Sequence, residues 1–211
     1  IQIGQGYPWD ARPATVVEYN LFDYAWGDSE IFSSKTSANT FRYNVAAHCI
    51  HSAFTLRGGN DAVVDSNVLI NNRYGIIIYG KNHRVTNNLI LDCREAGVCL
   101  RVGHERGKSR GYPATNCLVA HNTFANNGAG VAILGSTPRE DWLPIGNHVV
   151  NNLFEGGIGN YIVPDGIREP VVEYNLYDER YAALIGSPGE HALVATPKLV
   201  VDGYATRIAV D

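Results

Sequence analysis

Four residues able to hold or act on an anion recur at one spacing: Lys35, Arg57, Tyr79 and Arg101 are each 22 positions apart. In FTLRG, IIIYG and VCLRV the residue before them is Leu56, Ile78 or Leu100, which on a strand points inward and leaves the polar residue outward. A cationic stripe with one tyrosine results. Three cations stacked at strand separation repel one another, and such a ladder is easier to understand if an anion lies across it. Just ahead stand Asp28 and Glu30, in GDSEIFSSK, two carboxylates on one strand face. They could hold calcium, a hard cation that takes oxygen ligands, or they could be solvated acids that balance the basic stripe. Glu30 and Lys35 differ by an odd number of positions, so a bend must intervene if both face one site.

Positioning such a stripe requires a repeating element, and one is present. A β-rich run ending in Asn and followed by apolar residues recurs at Asn20, Asn44, Asn67, Asn88, Asn122, Asn152 and Asn175. The gaps are 24, 23, 21, 34, 30 and 23 residues, and a second strand such as YGIIIYG or GVAILG follows most copies. A repeat of this size cannot cover its own apolar face, whereas stacked turns bury one continuous core and pair each strand with those above and below. The pattern predicts a right-handed parallel β-helix, all-β, of about eight to nine turns at roughly 4.8 Å per turn. The recurrent Asn is expected to serve this fold, by adopting the left-handed conformation at a turn and by bonding to the next Asn in the stack. Regular turns are expected over 1–176 and an irregular cap over 177–211, in one domain. Two insertions, GHERGKSRGYP from Gly103 to Pro113 and STPREDWLP from Ser136 to Pro144, are candidate groove walls. The first brings His104, Arg106, Lys108 and Arg110 close after Arg101.

Composition narrows the partners. With 45% hydrophobic and 18% charged residues the 211-residue chain can bury a core. Its net charge of −4 gives no general attraction for nucleic acid, and no run approaches the ~18 apolar residues of a membrane span. Cys49, Cys93, Cys99 and Cys117 lack paired metal-ligand spacing and are read as buried free thiols. Ile1 to Gly4 already reads as strand and the chain has no methionine, so a longer N-terminal part is expected upstream.

The segment from Asn20 to Leu91, with NLF, GDSEIFSSKTSANTFRYN, TLRGG and YGIIIYGKNHRVTNNLI, resembles polysaccharide lyase family 6, the chondroitinase B and alginate lyase group. The resemblance implies β-elimination on a uronate-containing polysaccharide, alginate before chondroitin or dermatan sulfate. It makes Lys35 the base, Arg57 the group that assists the leaving oxygen, and Asp28 and Glu30 calcium ligands. Tyr79, Arg101, His104 and Arg106 are then the residues that bind the anionic chain. Two positions depart from the family pattern: Gly58 follows Arg57 where histidine is usual, and Asp28 stands for a usual glutamate. The family's calcium-ligating Asn from the preceding turn would fall before Ile1. A lysine base must be neutral, a form that cationic neighbours favour, so an alkaline pH optimum is expected. A polymer substrate implies a secreted or periplasmic protein, read as a monomer. The alternative is a non-catalytic carbohydrate-binding or structural β-helix. Pectate lyases share the fold and the chemistry but use an arginine base, against which Lys35 argues.

Overall fold

A computed structural model describes residues 1–5, 10–106, 109–134, 142–162, 169–184, 188–202 and 205–209. Strand formation follows from short runs with an apolar residue at the centre. Val16–Glu18, Thr40–Arg42, Val63–Asp65, Arg84–Thr86, Leu118–Ala120, His148–Val150 and Val171–Glu173 make one seven-stranded parallel sheet. Each three-residue strand turns its middle side chain inward, so Val17, Phe41, Val64, Val85, Val119, Val149 and Val172 form one buried column.

A corner after each strand leads to a second face, with Leu21–Asp23, Val45–Ala47, Val68–Ile70 and Leu89–Leu91 stacked in order. A further bend leads to a third face, built from Gln2–Ile3, Glu30–Ser34, Ala53–Leu56, Tyr74–Ile78 and Ala96–Leu100. Thr123–Ile133 runs through the corner unbroken and joins the second and third faces into one 13-stranded sheet. The architecture is the expected parallel β-helix. Its core stacks like on like, as in Phe32 on Phe41 at 3.9 Å and Phe124 on Phe154 on Tyr177 at 5.0 Å each.

The corners are held by side-chain ladders. From Asn20 through Asn44, Asn67, Asn88, Asn122 and Asn152 to Asn175, each side-chain amide donates to the next side-chain carbonyl at 2.9–3.1 Å. The left-handed backbone expected at these asparagines lies one residue earlier. Tyr19, Tyr43, Ser66, Asn87, His121, Asn151 and Tyr174 carry φ of 54–57°. The ladder amide itself must stay buried to accept from the preceding turn's backbone, as Asn44 Oδ1 does from the Asn20 N–H, so its neighbour takes the turn. Two further corners do the same work with mixed residues. The Cys49 N–H donates to Asn72 and that of Cys93 to Asn127, while Thr15, Ala62 and Cys117 donate to Asn39, His83 and Asn147. All four cysteines are free and buried, as expected, and burial pushes the Cys93 and Cys117 thiols up to about 12.

After Leu176–Asp178 the winding gives way to a 3-10 helix, Glu179–Leu184. One more parallel strand, Leu193–Ala195, follows, and then an antiparallel pair, Lys198–Asp202 with Ala205–Ala209.

Candidate active site

On the third face Ser34 pairs with Leu56, Leu56 with Ile78 and Ile78 with Leu100. Lys35, Arg57, Tyr79 and Arg101 are the residues that follow, so the 22-residue spacing becomes one column across four turns. The ladder continues through them: the Arg57 N–H donates to the Ser34 carbonyl at 2.8 Å, Tyr79 to Leu56 at 2.9 Å and Arg101 to Ile78 at 3.0 Å. The bend required between Glu30 and Lys35 is a register shift between Glu30 and Phe32, where the strand carries one extra residue opposite Ala53–Phe54. Phe32 and Ser34 therefore face the core while Glu30, Ser33 and Lys35 share the outer side.

Two adjoining clefts result. The first, about 390 Å³, is lined by Gln2, Asp28, Ser29, Glu30, Ser33, Lys35 and Arg57, with Ile1 at its end. The second, about 180 Å³, is lined by Ser29, Glu30, Thr55, Arg57, Arg73, Tyr74, Ile77, Tyr79 and Arg101. Ser29, Glu30 and Arg57 border both. A third hollow of about 280 Å³ continues from Tyr74 over Ala96, Cys99, Ala129, Ala132 and Leu134, where the floor is apolar.

The stacked cations are separated by partners of their own. Lys35 Nζ donates to Gln2 Oε1 at 3.1 Å, and Gln2 Nε2 donates to the Gly4 carbonyl at 2.9 Å, which turns the amide oxygen toward the lysine. Arg57 Nη1 donates to Glu30 Oε1 at 2.6 Å, and the Glu30 side chain is only 11% exposed. Arg101 lies over the Tyr74 ring at 5.3 Å. Burial acts to lower the Arg101 pKa, and nearby Cys99, Tyr79 and Tyr74 more than offset it, so the guanidinium stands above its ordinary value. Burial also raises the Tyr79 phenol, against the pull of Arg101 and Arg57. Asp28 accepts from the Ser29 backbone N–H at 2.6 Å, and the Ser52 hydroxyl meets the Asp28 carbonyl.

The structure thus brings Asp28, Glu30, Lys35 and Arg57 to one cleft and Tyr79 and Arg101 to the next. His104 and Arg106 lie on one arm of an antiparallel hairpin, His104–Arg106 with Ser109–Gly111; their side chains, and all of Lys108, lie outside the described residues. Gln2, Ser33, Thr55, Arg73 and Tyr74 were missed by sequence reasoning. A signal existed for two of them, since Ser33 and Thr55 share the spacing of the stripe two positions earlier.

Among the described residues no group of three His, Cys, Asp or Glu is placed to hold a metal ion. The first cleft nevertheless presents hard oxygens, the carboxylates of Asp28 and Glu30 and the amide of Gln2, which suit calcium in kind. Of the Glu30 carboxylate, Oε1 is engaged by Arg57.

The sequence pattern of the Chondroitinase B family matches residues 1–154. The chain belongs to the chondroitinase B family. Solved structures that share the fold of this chondroitinase B family chain include the polysaccharide lyase family 6 alginate lyase AlyGC. It is 23% identical, with a TM-score of 0.79, over 99% of this chain and 30% of that protein. A mannuronic acid specific family 6 lyase from human gut microbiota is 22% identical, with a TM-score of 0.72, over 92% of this chain and 48% of that one. The alginate lyase AlyF-OU02 is 16% identical, with a TM-score of 0.79, over 98% and 50%. The chain therefore spans 30–50% of the length of these proteins. No curated protein sequence matches it.

Proposed function

We propose that the protein is a polysaccharide lyase that cleaves a uronate-containing chain by β-elimination, with alginate as the first substrate to offer. The observation that carries this is one cleft lined together by a lysine amine, a guanidinium one turn away and two carboxylates. In this reading the neutral Lys35 amine takes the C5 proton, the C5–H electrons form the C4=C5 double bond, and the C4–O4 bond breaks. Arg57, released from Glu30, stabilises the charge that develops on departing O4. Asp28, Glu30 and Gln2 are the residues that would hold calcium, whose charge would neutralise the uronate carboxylate and make C5 more acidic. Tyr79 and Arg101 hold the next sugar units along the groove. Alginate is placed first because the structurally similar proteins include alginate lyases. A polymer of that size does not enter a cell, which puts the protein in the periplasm or outside.

The test is to follow the ultraviolet absorbance of unsaturated uronate while alginate, polygalacturonate and dermatan sulfate are offered, with and without EDTA. A rise on one polymer is expected, and Lys35→Ala should reduce its rate by at least about 10²-fold. No rise on any polymer overturns the lyase reading in favour of a non-catalytic β-helix.

A further inference from the structure

Ser33 and Thr55 face each other in register on the floor of the groove, one in each cleft. They are 5% and 2% exposed, and among the described residues neither hydroxyl oxygen has a hydrogen-bond partner. Leaving a buried hydroxyl unpaired costs free energy, and natural interiors seldom do it without a use. Packing does not demand hydroxyls here, because the next positions of the same column are Ile77, Cys99 and Ala132. The Glu30–Arg57 ion pair reaches from the start of one strand to the end of its neighbour, crossing the groove where the two clefts meet.

We infer that Ser33 and Thr55 form a hydroxyl-floored subsite for the carboxylate of a uronate residue, beside the Glu30–Arg57 pair. This rests on the reading of the groove as a uronate-binding site. Residues paired across parallel strands lie about 4.8 Å apart, a span that one carboxylate bridges by accepting from each hydroxyl with a separate oxygen. As C5 loses its proton, charge builds on those oxygens, and the same donors meet it.

The test is calorimetric titration of saturated tetramannuronate and tetraguluronate into the Lys35→Ala protein, in which turnover is slowed by at least about 10²-fold, alone and with Ser33→Ala or Thr55→Val added. Each change should weaken binding about tenfold, the worth of a hydrogen bond to a charged group. Tm should hold or rise, because an unpaired hydroxyl has been removed, and Thr55→Ser should retain binding. Affinity unchanged within about twofold overturns the inference, as does a loss shared by Thr55→Ser, or no binding of either oligouronate by Lys35→Ala. The lyase reading stands or falls separately, on whether the unmutated protein makes unsaturated product.

Discussion

Arg57 and Glu30 hold each other where the two clefts meet. The guanidinium holds the Glu30 carboxylate at 2.6 Å, and that carboxylate is also one of the two acidic oxygen donors in the first cleft. A calcium ion held in the first cleft would compete with the guanidinium for that carboxylate. Removing the arginine charge with Arg57→Gln should tighten calcium binding by roughly two- to fivefold, the worth of a partly exposed ion pair. Calorimetric titration of calcium into the two proteins measures this without any turnover. Weaker binding in the variant would mean that Arg57 instead holds Glu30 in a ligating position, and the competition would be refuted. The stripe containing Arg57 is legible in the sequence because charged side chains at a fixed interval stand out. The hydroxyls beneath it keep the same interval yet look like filler, since Ser and Thr occur everywhere on strands. Gln2 is invisible for another reason: its place in the cleft depends on the Gly4 carbonyl turning its amide.

At the scale of the element, the asparagine ladder turns local bonds into a continuous support, and its rungs are unequal. Asn88 is 2% exposed and donates to the Val64, Thr86 and Asn122 oxygens while accepting from both nitrogens of Asn67. Asn20, at the exposed end, donates its side-chain amide to the Glu18 carbonyl and to Asn44. Asn88→Ala strands buried donors and acceptors on two turns and should cost about 2–4 kcal/mol, whereas Asn20→Ala should cost under about 1 kcal/mol. Urea denaturation of both variants checks the contrast, and equal losses would show the ladder to be incidental. This ladder is the most legible element because one residue type recurs seven times. The other two corners hide, since Cys49, Cys93, His83 and Cys117 occupy places that Asn72, Asn127, Asn39 and Asn147 fill elsewhere. The left-handed positions hide for a similar reason, being carried by Tyr, His and Ser as well as Asn. Parity alone demanded a bend between Glu30 and Lys35, but nothing in EIFSS marks which residue is the extra one.

For the whole molecule, one buried corner residue ties stability to pH. His83 is 1% exposed; its Nδ1 accepts from the Ala62 N–H at 3.0 Å and its Nε2–H donates to the Tyr79 carbonyl at 2.8 Å. Both ring nitrogens are used only by the neutral imidazole, because a second ring proton would meet the Ala62 N–H. Burial drives the pKa down to about 4, against the opposing pull of the Tyr79 hydrogen bond and of Asp61. The unfolded chain takes up the proton near 6.5, and the folded one resists it until about 4. Across that window the unfolded state holds more protons, so stability is full above 6.5 and falls as the solution is acidified. The loss approaches about 3 kcal/mol at the lower limit. His83→Asn should keep the corner, since Asn147 already does this work for Cys117, and should flatten the acid slope. Chemical denaturation of both proteins at the two ends of the window isolates the histidine from the carboxylates that titrate in each. Parallel slopes would assign the acid loss to other groups. A flatter slope in the variant would mean that acidification loosens the turn whose carbonyl belongs to Tyr79, a residue that lines the second cleft, so the groove would weaken on the acid side of neutrality.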